Sequence, residues 1–121
     1  GIAAAPDFTD WGFSQDDKMT ILREGKLEEP SEYSDDPYVT TKIFWQSGDA
    51  NRLLHKEIVF DGPVRILHGQ KDEDVPWEYA LEISKKMRSD DVQVHLVKDG
   101  DHRLSRDSDI ALLIDVVSRL A

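Results

Sequence analysis

The sequence predicts an α/β fold: three parallel strands with flanking helices and an inserted helical cap. Three observations carry that reading. Val64-Arg65-Ile66-Leu67 and Val92-Gln93-Val94-His95-Leu96-Val97 are short β-branched runs, each cut off by a polar, glycine-containing loop. Between them Trp77, Ala80, Leu81 and Ser84, with Ile83 and Met87, give one helix a broad apolar face. Near the end, Ile110, Leu113, Ile114, Val117 and Leu120 recur at i, i+3, i+4, i+7 and i+10, a second amphipathic helix. A strand–helix–strand unit crosses over right-handed in nearly all proteins and makes its two strands parallel, so both following loops open on one sheet edge.

The elements follow in order. Gly1-Ile2-Ala3-Ala4-Ala5 is a short apolar run halted by Pro6-Asp7; it reads as a buried strand over 2–5 and as the start of a piece of a longer chain. From Phe8 to Asp61 the pattern is irregular, with Pro30, Pro37 and acidic pairs, and it does not read as core sheet. Ser14 with Asp17 three residues on has capping-box spacing, Arg23 suits a helix C-terminus and Gly25 can end it, which predicts a helix over 15–24. Tyr38-Val39-Thr40-Thr41 is β-rich. Beyond it Ile43, Ser47, Ala50 and Leu54 predict a helix over 42–54, weakened at Gly48 by about 1 kcal/mol relative to alanine. After Asp61-Gly62-Pro63 come a strand over 64–68, a helix over 76–88 opened by Pro76, a strand over 92–97, and the loop Lys98-Asp99-Gly100-Asp101-His102. Ser105 is placed to cap the final helix, with Asp107 and Asp109 in its first turn. No repeat or flexible linker interrupts this order, so residues 1–121 are expected to form one partial domain, with 8–61 a cap-like insertion between the first and second strands.

Composition narrows the function. The chain has 121 residues, 25 acidic against 15 basic, for a net charge of -10, and its lysines and arginines are not clustered. Such a surface repels phosphate backbones and anionic lipid, so nucleic acid and membrane are not expected partners. The absence of cysteine removes disulfide frameworks, thiolate metal sites and cysteine nucleophiles. No apolar stretch approaches the roughly 18 residues a transmembrane helix needs, and no signal-like segment stands at the start, which makes cytoplasm the default location.

Parallel neighbours lie about 4.8 Å apart, or about twice that with a strand between, so Asp72 after one strand and His102 after the next fall within reach of each other. An imidazole works as a general base near neutral pH when a carboxylate holds its tautomer and stabilises the imidazolium, a service Asp72 can give His102. A histidine after Gly-Asp is, by itself, more often a solvated turn residue; its pairing with the acid loop reverses that balance. Asp72, Glu73, Asp74, Asp99 and Asp101 gather on the same edge, and carboxylates suit a divalent cation. Lys71 and Lys98 flank them and no fixed ligand ladder is present, so a solvated acidic rim ranks above a metal site, and no metal or cofactor is expected. Trp77, beside the acid loop, is the candidate substrate contact. His55, His68 and His95 are assigned to structure.

His68-Gly69-Gln70-Lys71-Asp72-Glu73-Asp74-Val75-Pro76 resembles the HGxxDxxVP acid loop of α/β hydrolases, and Gly100-Asp101-His102 resembles their histidine loop, in the matching chain order. The resemblance implies the C-terminal part of an α/β-hydrolase fold, with residues 2–8 as its sixth strand. Val75-Pro76-Trp77, the stretch 33–41 and the run 90–103 are most similar to bacterial relatives of the mitochondrial palmitoyl-protein thioesterase and acyl-glucuronide esterase branch. It implies a serine hydrolase cleaving carboxylic esters or thioesters through an acyl-enzyme, with His102 as base and Asp72, the first of the three loop acids, as its orienter. Asp7 is the reserve acid, because some hydrolases place theirs after the sixth strand. The nucleophile is missing: there is no Gly-x-Ser-x-Gly, and none of the nine serines falls at a strand-to-helix elbow. The expected partners are an acyl ester or thioester, the missing N-terminal half of the same protein, and a second copy through the exposed sheet edge. The rival reading is a noncatalytic half-sheet that binds by strand addition along 2–5.

Overall fold

A computed structural model describes residues 1–120. They divide into two compact units: Asp7–Arg52, and Gly1–Pro6 together with the chain from Leu53 onward.

In the 7–52 unit, α1 (Phe8–Trp11) precedes α2 (Gln15–Glu24). The α2 capping box is present: Asp17 N–H donates to Ser14 Oγ at 3.1 Å and Ser14 N–H to Asp17 Oδ2 at 3.4 Å. Gly25 ends the helix at φ 80°, a conformation that costs glycine nothing. Ile21 is fully buried. The chain then forms β1 (Lys26–Glu29) antiparallel to β2 (Tyr38–Thr41), a hairpin the sequence reading did not expect. Lys26-Leu27-Glu28-Glu29 has poor strand propensity, and its pairing is decided by the β-branched partner. In α3 (Lys42–Ala50), capped by Thr41 Oγ1, Gly48 lies against the Phe8 ring, where a Cβ would overlap the ring carbons. The glycine that weakens the helix locally is thus required by packing. The helix stops at Ala50 rather than at 54, where Asn51 leaves helical geometry and its Nδ2 donates back to Ser47 O at 2.7 Å.

In the other unit, β3 (Val64–Gly69) and β4 (Val92–Val97) are parallel, with Leu67 opposite His95 and Gly69 opposite Val97. The expected strand over 2–5 contracts to one parallel bridge, Ile2 to Leu67, with Leu67 N–H donating to Gly1 O and Ala3 N–H to Leu67 O, both at 2.9 Å. Ala3 adopts φ 46° and turns the chain out of extended geometry. Helix α4 (Glu78–Lys86) begins two residues after the expected start, because Pro76 and Trp77 are spent on turns that accept from Tyr79 and Ala80 N–H. In α5 (Asp107–Leu120), Arg106 N–H donates to Asp109 Oδ2 at 3.2 Å, so Asp109 takes the capping part expected of Ser105. Leu67, Leu104 and Val116 form the buried core, flanked by Val97, Leu112 and Leu113. Ile114 and Val117, expected on the core face of α5, are 63 % and 56 % exposed. Among the described residues no helix is long and apolar enough to cross a membrane.

Candidate active site

The parallel register brings the C-terminal ends of β3 and β4 level, and backbone bonds then stitch the two following loops together. Gln70 N–H donates to Val97 O and Lys71 N–H to Gly100 O, both at 2.9 Å. Gly69 is required here, since a Cβ would overlap the Gly100 and Asp101 carbonyls. The acid loop and the histidine loop are therefore held at main-chain contact before any side chain is considered.

Asp72 lies on the first loop. Its Oδ1 accepts from Asp74 N–H at 2.8 Å and Val75 N–H at 2.9 Å, which fixes the carboxylate plane. Its Oδ2 lies 2.9 Å from His102 Nδ1. The Asp72 side chain is fully buried, whereas that of His102 is about a third exposed (36 %). Burial pushes the Asp72 carboxyl up, but the Val75 N–H, His102 and the Asp74 N–H outweigh it and hold the carboxyl below its ordinary value of 3.8. It is a carboxylate near neutrality, so His102 donates from Nδ1 and Nε2 remains the nitrogen able to take a proton.

Asp101 does for the histidine loop what Asp72 Oδ1 does for its own. Asp101 Oδ1 accepts from Arg103 N–H at 3.1 Å and Leu104 N–H at 2.9 Å, and Leu104, at φ 46°, turns inward to the core. His102 is thus anchored from both sides. Beyond it, Arg106 pairs with Asp109 and with Asp99; both hold its guanidinium above the ordinary value, and Arg106 lowers the Asp99 and Asp109 carboxyls in turn.

The acidic rim is only partly a cluster. Ligand atoms of Asp72, Asp74 and His102 lie within 4.8 Å of one another. Glu73, Asp99 and Asp101 are not part of that group, Asp99 is engaged by Arg106, and Asp101 by backbone N–H groups. The central Asp72 carboxylate already accepts from three donors, on both of its oxygens, with His68 Nε2 3.1 Å from Oδ2. Trp77 is half-buried just before α4. Asp7 precedes α1 at φ 54°; the acid beside His102 is Asp72. His68, assigned to structure at the strand end, is fully buried there; its Nε2 bonds Val75 O at 3.0 Å and lies 3.1 Å from Asp72 Oδ2. The available signal for that proximity was a histidine inside an apolar strand, four residues before the acid.

Two parallel strands ending in an acid loop and a histidine loop that meet at one hydrogen bond define the class: the chain has the architecture of a C-terminal part of the α/β-hydrolase fold, shared with solved α/β hydrolases. The crystal structure of an Agrobacterium vitis S4 protein described as a hydrolase superposes with a TM-score of 0.90 at 38 % identity, covering 98 % of this chain and 47 % of that one. Within the superfamily the chain's homologues are palmitoyl-protein thioesterases of the ABHD10 kind. The mouse protein is 40 % identical over 101 residues, 83 % of this chain and 34 % of the relative, and the human protein is 34 % identical over 124 residues, 99 % and 40 %. The mouse α/β hydrolase domain-containing protein 10 structure gives a TM-score of 0.83 at 34 % identity over all of this chain and 52 % of that one. The chain therefore spans about a third to two fifths of the length of the curated relatives it matches. No family model matches it. These relatives are named as mitochondrial proteins, which overturns the cytoplasmic location expected from the sequence.

Proposed function

We propose that this chain supplies the acid and the histidine of a serine hydrolase that cleaves carboxylic esters or thioesters, with the nucleophile contributed by sequence outside these 121 residues. The observation that carries the reading is the 2.9 Å contact between Asp72 Oδ2 and His102 Nδ1, built on two loops tied at their backbones. In this mechanism the serine hydroxyl attacks the acyl carbonyl and its proton passes to His102 Nε2. His102, now an imidazolium stabilised by Asp72, gives that proton to the departing alkoxide or thiolate. Water, deprotonated by the same nitrogen, then releases the acid and restores the serine. Residues 8–61 are a cap-like insertion, and Trp77 is the substrate contact. The thioester preference is supported by the homologues' names, which are those of palmitoyl-protein thioesterases.

The missing N-terminal half of the protein packs, in this proposal, on the apolar cleft of about 500 Å³ that Ile2, Phe60, Leu67, Met87, Leu113 and Val117 help to line. Apolar surface of that kind also drives self-association when the partner is absent. The test is to sequence upstream and assay the longer protein. A Gly-x-Ser-x-Gly roughly 25 residues before Gly1, the length of one helix and its loops, together with loss of acyl-ester turnover in His102→Ala, is the expected result. A gene product that starts at Gly1 and has no such elbow would favour the noncatalytic half-sheet.

A further inference from the structure

His68 is fully buried at the end of β3, and its Nε2 lies 3.0 Å from Val75 O and 3.1 Å from Asp72 Oδ2. Both neighbours are acceptors, and one carries negative charge. Its Nδ1 is buried without a hydrogen-bond partner. If the single proton of the neutral ring sat on Nδ1, it would have no acceptor, while the Nε2 lone pair would face two oxygen atoms. A second proton on Nδ1 would be equally stranded. The ring is therefore in the Nε2–H form, donating to the Val75 carbonyl, with Asp72 Oδ2 3.1 Å from the same nitrogen.

We infer that His68 is a positioning residue for the dyad, acting through Asp72: its Nε2–H ties the Val75 carbonyl and so closes the acid loop, and the same N–H edge lies 3.1 Å from Oδ2, the oxygen that also receives His102. This rests on reading Asp72 and His102 as the working acid–base pair. The geometry is specific. Oδ1 is pinned by two backbone N–H groups, so rotation of the carboxyl is already opposed on one side. Oδ2 is hydrogen-bonded by His102, a side chain about a third exposed. With His68 present, the loop that carries Asp72 stays closed and an N–H edge stays beside Oδ2 whether or not His102 moves during proton transfer.

The test begins with long-range ¹H–¹⁵N spectroscopy of the histidine-labelled chain. The expected result is a proton on His68 Nε2 and on His102 Nδ1; a His68 proton on Nδ1 overturns the inference. Two variants follow. His68→Gln reaches the Nε2 position with an amide N–H and should preserve the His102 Nδ1–H form, whereas His68→Asn is polar but too short and should yield a mixture of His102 tautomers. In the nucleophile-bearing protein, His68→Asn should lower kcat about 10- to 100-fold with KM changed less than about twofold, and His68→Gln should recover most of it. Equal spectra and equal kcat in both variants would sink the positioning role. If instead Asp72→Asn itself leaves turnover intact, the dyad reading has failed and the tautomer result for His68 stands separately.

Discussion

Replacing Asp72 by asparagine is the sharpest perturbation available, because it changes one atom's chemistry and almost no volume. The amide oxygen can keep the bonds from the Asp74 and Val75 N–H groups, at 2.8 and 2.9 Å, so the acid loop retains its turn. The amide nitrogen then replaces Oδ2 and presents N–H donors to His102 Nδ1 and His68 Nε2. His102 must answer as an acceptor, which moves its proton to Nε2 and removes the lone pair that takes the nucleophile's proton. His68 Nε2–H keeps its bond to Val75 O, with an amide N–H in place of a carboxylate oxygen beside it. A buried donor left partly unsatisfied costs at most about 1–3 kcal/mol, so the variant should still fold. In an unrelated triad enzyme the same exchange lowers turnover about 10⁴-fold. We expect a loss of at least about 10³-fold in the nucleophile-bearing protein, measured on p-nitrophenyl acyl esters and on an acyl thioester, with circular dichroism unchanged. Turnover above a tenth of wild type, or a His102 proton still on Nδ1 in the variant, would refute the argument.

The 121 residues alone lack both serine elbow and oxyanion hole by this reading, so the purified chain should hydrolyse p-nitrophenyl esters no faster than its His102→Ala control; His102-dependent turnover would reveal a nucleophile within the chain. Asp7→Asn in the nucleophile-bearing protein should change turnover less than about twofold, and a loss matching that of Asp72→Asn would transfer the acid role to Asp7. Because the Asp72 carboxyl is lowered on folding, the folded state binds its proton less readily than the unfolded one; the stability this gives is complete above the ordinary value of 3.8 and is lost as pH falls through the lower folded value. Denaturant titrations should accordingly show the difference between wild type and Asp72→Asn shrinking as pH drops below that range, and a constant difference would contradict the assignment. Leu67→Ala, at 3 % exposure against Leu104 and Val116, should destabilise by about 2–5 kcal/mol in the same titrations.

The parallel unit was legible because its signals are local and redundant. Val64–Leu67 and Val92–Val97 are β-branched, the helix between them has one apolar face, and the crossover rule alone sets their relative direction. Ser14, Asp17 and Gly25 fixed both ends of α2 for the same reason. Misses arose where tertiary pairing overrides local preference. Lys26–Glu29 is a strand only through its partner Tyr38–Thr41, and nothing in its own residues announces that. Ala3 leaves the expected strand by adopting φ 46°, a conformation with no signature in an alanine run. At the site, Asp72 and His102 could be paired from topology, but the acceptors around His68 depend on where the Val75 carbonyl points, which spacing does not encode.

The dyad's geometry is built from short-range parts. The bonds that orient Asp72 come from Asp74, Val75 and His102, and those that set His102 come from Asp101 and from the backbone seam between Gln70–Lys71 and Val97–Gly100. Each is within a few residues of its strand end, and the parallel register brings the two groups together without further help. A carboxylate fixed on one oxygen by backbone and on the other by His102, with a buried imidazole edge alongside, is pre-set before any substrate arrives, the condition under which the proposed acid–base pair contributes most to turnover.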